Sequence, residues 1–257
     1  MRYKGFESID NEGQKELRLV FPDGLDRHFF ARMYCRGELM DRAGGDPELI
    51  WRSLSSNFNN IKLVAPHQVH GTHVIPADSS FALPLRPEAD GVMIVPGSDS
   101  LASLRFADCC PVVIASDSPV PWMLMLHSGF AGTAKNIVRS ALSSISGWYG
   151  EAMGKRTYGW TGPCICKECY SRKKDDPSTI NALKIYSPAN HFEKNGMIHF
   201  DISGEIRSQL MQCGLPYDNI FAVGDCTYCD NDFYYSFRAG DERSRIFLLG
   251  GNTTKEA

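Results

Sequence analysis

Three histidines, His67, His70 and His73, lie close together in the segment VAPHQVHGTH. Histidine ligates zinc and copper and also acts as a general acid or base near neutral pH, so the group is a candidate for either chemistry. The flanking segments IKLVA and HVIPA are typical of short strands, which predicts a bend between two strands rather than a helix. Side chains three residues apart on a strand point to opposite faces, so we do not expect these histidines to form one site by themselves.

Two later segments supply reactive partners. LRFADCCPVVIAS places Asp108, Cys109 and Cys110 between two apolar strands, and WMLMLHSGFAGT places His127 at the end of another. Strand ends hold reactive groups on a rigid base, and Gly129, just after His127, lets the backbone approach a ligand closely. A buried histidine satisfied by a backbone carbonyl fits the local pattern of His127 equally well.

The elements that position these residues are mainly strands. Apolar runs between Gly, Pro, Asp and Ser predict strands in ELRLVF, HFFARMY, IKLVA, HVIPA, GVMIV, LASLRF, PVVIAS, WMLML, NIFAVG, YYSFRAG and RIFLLGG. Helices are predicted in DPELIWRSLSSNF after the cap Asp46, in GTAKNIVRSALSSISGWYG with Thr133 as the cap, and in DISGEIRSQLMQCG near Asp201. The polar stretch 171–182 is predicted to be a surface excursion. Without a repeat or linker, one α+β domain over residues 1–257 is expected.

The composition excludes several classes of protein. The 257 residues include 43% hydrophobic and 22% charged residues, which is typical of a globular protein with a sizeable core. A net charge of −3 argues against nucleic-acid binding, which requires a basic surface. The sequence has neither a signal-peptide pattern nor a long apolar span, which predicts a cytoplasmic protein without a membrane partner.

Seven motifs, in the same order, resemble the YfiH-type family: QVHG, ADGVMIVPG, ADCCPVVI, HSGFAGT, GPCICKECY, FDISGEIRSQLMQCGL and CTYCDNDFYYSFRAG. Each motif alone is weak, but the ordered set over residues 61–250 is specific. Members are known as multicopper polyphenol oxidases or laccase-like proteins, and also as purine nucleoside phosphorylases and peptidoglycan editing factors. The resemblance implies an α+β fold of mixed, packed β-sheets flanked by helices, similar to the catalytic domain of cytotoxic necrotizing factor.

The resemblance also implies one metal ion, held by His70, Cys109 and His127. A set of one cysteine and two histidines suits Zn²⁺, with Cu²⁺ as the alternative, and leaves a coordination position open for water or substrate. His67 and His73 then have lesser roles.

The activities implied by the resemblance are phosphorolysis of adenosine, inosine and methylthioadenosine, and deamination of adenosine. The likeness to cytotoxic necrotizing factor implies a rival mechanism in which Cys109 is the nucleophile and His127 the base. An amidase that edits cell-wall precursors is a further alternative. A laccase-type oxidase is weaker, because blue multicopper chemistry needs several copper sites. A protein that binds without catalysis remains as the last alternative.

The further catalytic candidates are Gln68 and Asp108, which lie in the QVHG and ADC motifs. Arg238 is the candidate anion contact, although an ion pair with Asp241 or Glu242 explains it equally well. The other predicted substrate-binding residues are Phe130, Ser236 and Arg32.

The chain departs from the family pattern where the family has an arginine after the aromatic residue of HSGFAG, because here Ala131 follows Phe130. An arginine beside the metal is an obvious phosphate contact, so its loss bears on phosphorolysis, and Lys135 is the nearby substitute. Ser171 replaces a family glutamate, which suggests a different choice of substrate.

The later cysteines form two motifs, Cys164-x-Cys166-x-x-Cys169 and Cys226-x-x-Cys229. By spacing alone they match a zinc site with four cysteines. The family often has cysteines at four of these five positions without a known structural zinc, so the sequence leaves a second metal site open.

Overall fold

Two six-stranded sheets and one three-stranded sheet make up most of the computed structural model, which describes residues 3–11, 13–59, 61–149 and 156–255. The strands are β1 (Phe6–Asn11), β2 (Gln14–Leu19), β3 (Phe29–Tyr34), β4 (Lys62–Val64), β5 (Val74–Pro76), β6 (Gly91–Ile94), β7 (Ser100–Phe106), β8 (Cys110–Ser116), β9 (Trp122–Ser128), β10 (Thr157–Thr161), β11 (Ser171–Lys173), β12 (His191–Lys194), β13 (Met197–Phe200), β14 (Ile220–Ala222) and β15 (Ile246–Asn252). The helices are α1 (Glu38–Ala43), α2 (Pro47–Leu54), α3 (Phe130–Ala134), α4 (Ile137–Tyr149), α5 (Pro177–Ala182) and α6 (Ile202–Gln212).

The two large sheets are mixed. The first has the order β1-β2-β3-β15-β7-β4 and the second β14-β10-β8-β9-β6-β5, while β11-β13-β12 form the small antiparallel sheet. Pairing is parallel between β4 and β7, between β5 and β6, and between β10 and β14, and antiparallel elsewhere.

The core has two layers, one on each face of the second sheet. On β9, Met123 and Met125 pack into the layer shared with the first sheet, whereas Trp122, Leu124 and Leu126 pack into the layer that contains residues of α4 and α6. Because β9 is buried on both faces, its sequence is a continuous apolar run rather than an alternating one. The predicted α+β class, with mixed packed sheets and flanking helices, is confirmed.

Three local predictions were wrong. The helix predicted to begin at Thr133 is two helices, α3 and α4, separated at Asn136, whose φ is +56°. Thr133 is a buried residue of α3 and not a cap. The segment 234–240 forms turns instead of a strand. The polar stretch 171–182 is a surface segment as predicted, since most of its side chains are exposed or partly exposed, and it contains β11 and α5. Within the described ranges, no helix has the length and apolar character needed to cross a membrane.

Candidate functional site

The structure brings His70, Cys109 and His127 together at one end of the second sheet. One ligand atom from each residue lies within 4.8 Å of the other two. His70 comes from the loop between β4 and β5, Cys109 precedes β8, and His127 lies on β9. The register of β8 and β9 pairs Cys110 with Ser128, and this pairing places Cys109 beside the end of β9. The two imidazole rings are 4.9 Å apart between centroids, and their planes are inclined by 63°.

A buried carboxylate, Asp90, orients both histidines. Its Oδ1 accepts hydrogen bonds from Nδ1 of His127 at 2.8 Å and from the backbone N–H of His70 at 3.0 Å. Its Oδ2 accepts from the N–H groups of Val69 and Gly71 at 3.1 and 2.6 Å. Because four donors converge on this carboxylate, one side chain fixes the loop that contains His70 and the ring of His127.

The protonation state of His127 suits a metal ligand. Burial lowers the pKa of His127 below its ordinary value, although the hydrogen bond to Asp90 acts in the opposite direction. The ring is therefore neutral at physiological pH, with its Nδ1–H donated to Asp90 and Nε2 left as the electron-pair donor. A carboxylate behind a histidine ligand is the usual way in which proteins fix its tautomer and orientation.

The side chain of Cys109 packs directly against Gly129, where a larger residue would overlap it. A Cβ built on Gly129 would overlap the sulfur of Cys109, so the turn after β9 accommodates the thiol only without a side chain. Burial, followed by the nearby charge of Asp108, raises the pKa of Cys109 to about 12. Such a thiol is not the activated thiolate of a cysteine nucleophile, whereas a metal ion would deprotonate it directly. The donor set fits zinc or copper with one position open.

A pocket of about 450 Å³ opens over the three ligands. A volume in this range suits a small-molecule substrate. Its lining residues include three arginines and two aromatic residues, namely Arg105, Arg238, Arg245, Tyr170 and Phe237. A second cavity of about 230 Å³, lined by Ala131 and Phe130, adjoins the first at His70 and Cys109.

Two of these arginines have no carboxylate partner among the described residues. Nη1 of Arg105 donates to the carbonyl of Gly45 at 2.9 Å, and Nη1 of Arg245 donates to the carbonyl of Asp241 at 2.9 Å. Burial, helped by the charges of Arg86 and Arg245, lowers the pKa of Arg105 to about 10, so it remains protonated at neutral pH. Like charges held together without a directly bonded carboxylate favour the approach of an anion to this wall.

Asp108 and Gln68 line the pocket, but their polar atoms bind other parts of the chain. Asp108 Oδ1 accepts from the hydroxyl of Thr227 at 2.8 Å, and Oδ2 accepts from the N–H of Arg238 at 2.8 Å. Gln68 Nε2 donates to the carbonyl of Arg105 at 2.8 Å, and Oε1 accepts from its N–H at 2.9 Å. Both residues therefore hold the pocket walls in position.

Arg238 and Phe130 line the cavities, whereas Ser236 and Arg32 do not. Arg238 lies over the ring of Tyr170, 5.4 Å from its centroid. Asp241, one of the two carboxylates considered as an ion-pair partner of Arg238, is instead paired with Arg36, with 2.6 Å between Oδ2 and Nη2.

The Ser236 hydroxyl is fully buried and accepts from the N–H of Ala239 at 3.1 Å, so it shapes a turn. Arg32 lies on β3 and lines a different cavity, against the rings of Phe30 and Phe58. Both are therefore withdrawn as substrate-binding candidates.

Several residues of the site were missed from the sequence, among them Asp90, Arg105 and Arg245. Asp90 lies in the quoted motif ADGVMIVPG, and its position between a bend and a buried strand was the available signal. Arg105 is the one charged residue of β7, which marks it as unusual in a strand whose other residues are buried. Arg245 follows a polar turn and had no distinguishing signal.

The fold and the site define an α+β protein built around an open centre of two histidines and one cysteine. The chain belongs to the multi-copper polyphenol oxidoreductase laccase family, whose model matches residues 46–248. The resemblance to YfiH-type proteins is thereby confirmed.

Among its relatives, a purine nucleoside phosphorylase of Xylella fastidiosa (strain 9a5c) is 28% identical over 219 residues, which are 80% of this chain and 79% of that protein. Another, the purine nucleoside phosphorylase RC0672 of Rickettsia conorii, is 29% identical over 195 residues, which are 73% of this chain and 75% of that protein.

Solved structures share the fold. YlmD from Geobacillus stearothermophilus superposes with a TM-score of 0.80 at 22% identity, covering 96% of this chain and 98% of that one. The hypothetical protein YfiH of Bacillus licheniformis superposes with a TM-score of 0.75 at 18% identity, covering 97% of this chain and 99% of that one.

Proposed function

We propose that this chain is a metal-dependent purine nucleoside phosphorylase that acts on adenosine, inosine or methylthioadenosine. Its single zinc, with copper as the alternative, would be held by His70, Cys109 and His127. The observation that carries the proposal is the wall of arginines without carboxylate partners in the same pocket as these three ligands. The names of the relatives supply the substrate class.

Arg105 and Arg245 could supply the phosphate contact that the family arginine would make at the position of Ala131. Arg105 and Arg245 approach the pocket from β7 and from the residue before β15, not from α3. Arginine binds phosphate through two parallel N–H donors, and backbone carbonyls already hold the guanidinium of Arg245 in one orientation. An inorganic phosphate at this wall would lie in the same pocket as the metal ligands.

The aromatic side of the pocket suits the purine. Tyr170 and Phe237 line the same cavity as the arginines. Phe237 is 62% exposed, and its ring is available to stack on a flat base. The pocket thus offers separate surfaces for the base and for phosphate.

Phosphorolysis breaks the bond between C1′ of the ribose and the purine nitrogen, and it forms a bond between C1′ and a phosphate oxygen. The purine leaves with the electron pair and takes up a proton, and ribose 1-phosphate is the other product. The ribose passes through an oxocarbenium-like state, so the arginines would hold the phosphate near the developing positive charge. A bound zinc would supply a Lewis acid, or a water of lowered pKa, at the base of the pocket.

The first test is product analysis by mass spectrometry of zinc-loaded protein incubated with adenosine, with and without phosphate. We expect adenine and ribose 1-phosphate only in the presence of phosphate. Inosine in both samples would instead identify deamination, for which an open zinc site is also suited. Unchanged adenosine in both samples would contradict an adenosine-converting enzyme and favour the amidase alternative.

The second test addresses the phosphate wall. Arg245→Gln removes a cation from the pocket, and we expect the KM for phosphate to rise about ten- to a hundred-fold, since a charged hydrogen bond contributes about 1.5–3 kcal/mol. The matched control is Arg139→Gln, which removes an exposed arginine on α4. Equal phosphate KM values in the two variants would refute the assignment.

Chelation separates the metal mechanism from the rival in which Cys109 and His127 act without metal. We expect activity to fall on chelation and to return with zinc, whereas a cysteine hydrolase would be indifferent to the chelator. The oxidase chemistry in the family name is the weaker alternative. Within the described ranges, only one candidate metal group contains histidine, and a blue multicopper oxidase needs several copper sites.

A further inference from the structure

The loops 164–170 and 226–229 bring together four cysteines, none of which belongs to the three-ligand centre. One sulfur from each of Cys166, Cys169, Cys226 and Cys229 lies within 4.8 Å of the others. We propose that this four-cysteine cluster binds a structural zinc ion that cross-links the two loops. The proposal does not depend on the enzymatic activity.

The spacing and the separations fit a tetrahedral site. Each loop contributes a pair of cysteines with two intervening residues, which is the arrangement of structural zinc sites. With a zinc–sulfur bond of about 2.3 Å, the edges of the tetrahedron are about 3.8 Å. The sulfurs of Cys169 and Cys229 are 3.5 Å apart, which is close to this edge and well beyond the S–S bond of about 2.05 Å.

The backbone around Cys226 is arranged for a thiolate. Its sulfur accepts hydrogen bonds from the N–H groups of Cys166 at 3.2 Å and Cys229 at 3.5 Å. Donors aimed at sulfur favour its charged form, which is the form that binds metal.

The fifth cysteine of the two motifs has a different environment. Cys164 is buried, and it does not belong to the group of four sulfurs that lie within 4.8 Å of one another. It pairs with Cys226 in an isolated parallel bridge, and this bridge aligns the two loops. The ligand set is therefore the four cysteines without Cys164.

The cluster lies directly behind the walls of the active-site pocket. Ile165, next to Cys166, donates its N–H to the carbonyl of Asp108 at 3.1 Å, and Thr227, next to Cys226, donates its hydroxyl to the carboxylate of the same residue. Tyr170, next to Cys169, lines the pocket itself. A zinc ion in the cluster would therefore hold the residues that shape the pocket without contacting the substrate.

The test is zinc content by native mass spectrometry, because the two groups predict distinct losses. We expect His70→Ala and Cys229→Ser each to carry one zinc fewer per chain than wild type, and the double variant to carry none. The matched control is Cys213→Ser, outside both groups, with unchanged zinc. Cobalt substitution adds a spectroscopic readout: His70→Ala should keep the intense thiolate-to-cobalt absorption of four sulfurs, and Cys229→Ser should weaken it.

The wild-type protein provides a test that needs no variant. In thiol alkylation, we expect the four cysteines to be protected until a chelator is added, without any reductant. A wild-type chain lighter by two hydrogen atoms, with a peptide linking Cys169 to Cys229, would identify a disulfide and overturn the proposal. So would equal zinc content in Cys229→Ser and wild type.

Discussion

Asp90 is the residue on which the geometry of the three-ligand centre depends most. Asp90 does not itself line the pocket, yet its carboxylate accepts hydrogen bonds from the ring of His127 and from the backbone N–H of His70, which do. It is therefore a positioning residue, which would act on a bound metal through the two histidines that we propose as ligands.

We expect Asp90→Asn to weaken zinc binding at the three-ligand centre by about 10- to 100-fold, the usual effect of losing a hydrogen-bond partner behind a ligand. The affinity is measured by competition with a chromophoric chelator. The control is Asp78→Asn, an exposed aspartate whose carboxylate accepts from Ser80. Unchanged affinity in Asp90→Asn would show that the ligands hold their own orientation.

Gly129 gives a second prediction at this scale. Gly129→Ala places a methyl group on the sulfur of Cys109, so we expect loss of zinc from that centre while the fold is retained. Circular dichroism and zinc content measure the two effects separately. Gly224→Ala is the control, because a Cβ there meets no atom within 4 Å. Full zinc content in Gly129→Ala would contradict the close approach.

Individual site residues were predictable to different degrees. Spacing alone did not single out His70, and the resemblance to a family did. Asp90 was missed because an aspartate beside a glycine is typical of an ordinary turn. Arg105 and Arg245 were missed because their importance lies in the absence of a carboxylate nearby, which is a property of the three-dimensional arrangement.

Among the elements, the segment between β14 and β15 depends on side chains for its shape. It has no regular strand, and two carboxylates hold it in place. Asp108 accepts hydrogen bonds from the hydroxyl of Thr227 and the N–H of Arg238, and Asp241 of the segment itself accepts from the guanidinium of Arg36. The sequence YYSFRAG predicts a strand because it is aromatic-rich, but side-chain bonds to the backbone N–H groups compete with sheet pairing.

Asp241 provides a prediction of pH dependence. Burial raises the pKa of Asp241, but the hydrogen bond from the Ser236 N–H and the charge of Arg36 have a larger effect in the opposite direction. The pKa of Asp241 is therefore below its ordinary value. A carboxylate with a lowered folded pKa stabilises the fold above its unfolded pKa of about 4, and this contribution is lost as the pH falls through the folded pKa.

We therefore expect Asp241→Asn to lower the free energy of unfolding by about 1–3 kcal/mol near neutral pH. The difference from wild type should shrink as the pH falls below about 4. Denaturant titrations at several pH values measure it. Asp232→Asn, an exposed position of the same segment, is the control. A difference that is constant with pH would contradict the role of the charge.

The elements themselves were predictable where burial dominates. The apolar runs of β6 to β9 and the capped helix α2 were found, and Asp46 accepts from the N–H groups of Glu48 and Leu49 as a cap should. The small sheet of β11, β12 and β13 was missed because its strands are short and partly exposed. The break between α3 and α4 was missed because Asn136 adopts a left-handed conformation that its neighbours do not reveal.

At the scale of the whole molecule, metal binding and folding are linked. A metal that binds only the folded chain stabilises it by about 2.7 kcal/mol at a hundred times its Kd. For a chain of this size, that corresponds to a rise in Tm of about 5–10 °C. We expect chelation to lower the Tm by this order in wild type and by less in His70→Ala. The control is His73→Ala, an exposed neighbour. An identical chelator effect in wild type and His70→Ala would contradict His70 as a ligand.

The position of β15 has a consequence for the order in which the protein is made. This strand follows every other described strand along the chain, yet it lies inside the first sheet, paired with β3 on one side and β7 on the other. Until β15 has left the ribosome, both neighbours present unfinished edges, which are prone to pair with other chains. Cys109 follows β7 after a short turn. Because β7 gains its β15 neighbour last, the position of Cys109 is fixed late in synthesis. Metal capture at the three-ligand centre is therefore expected to come after translation of β15.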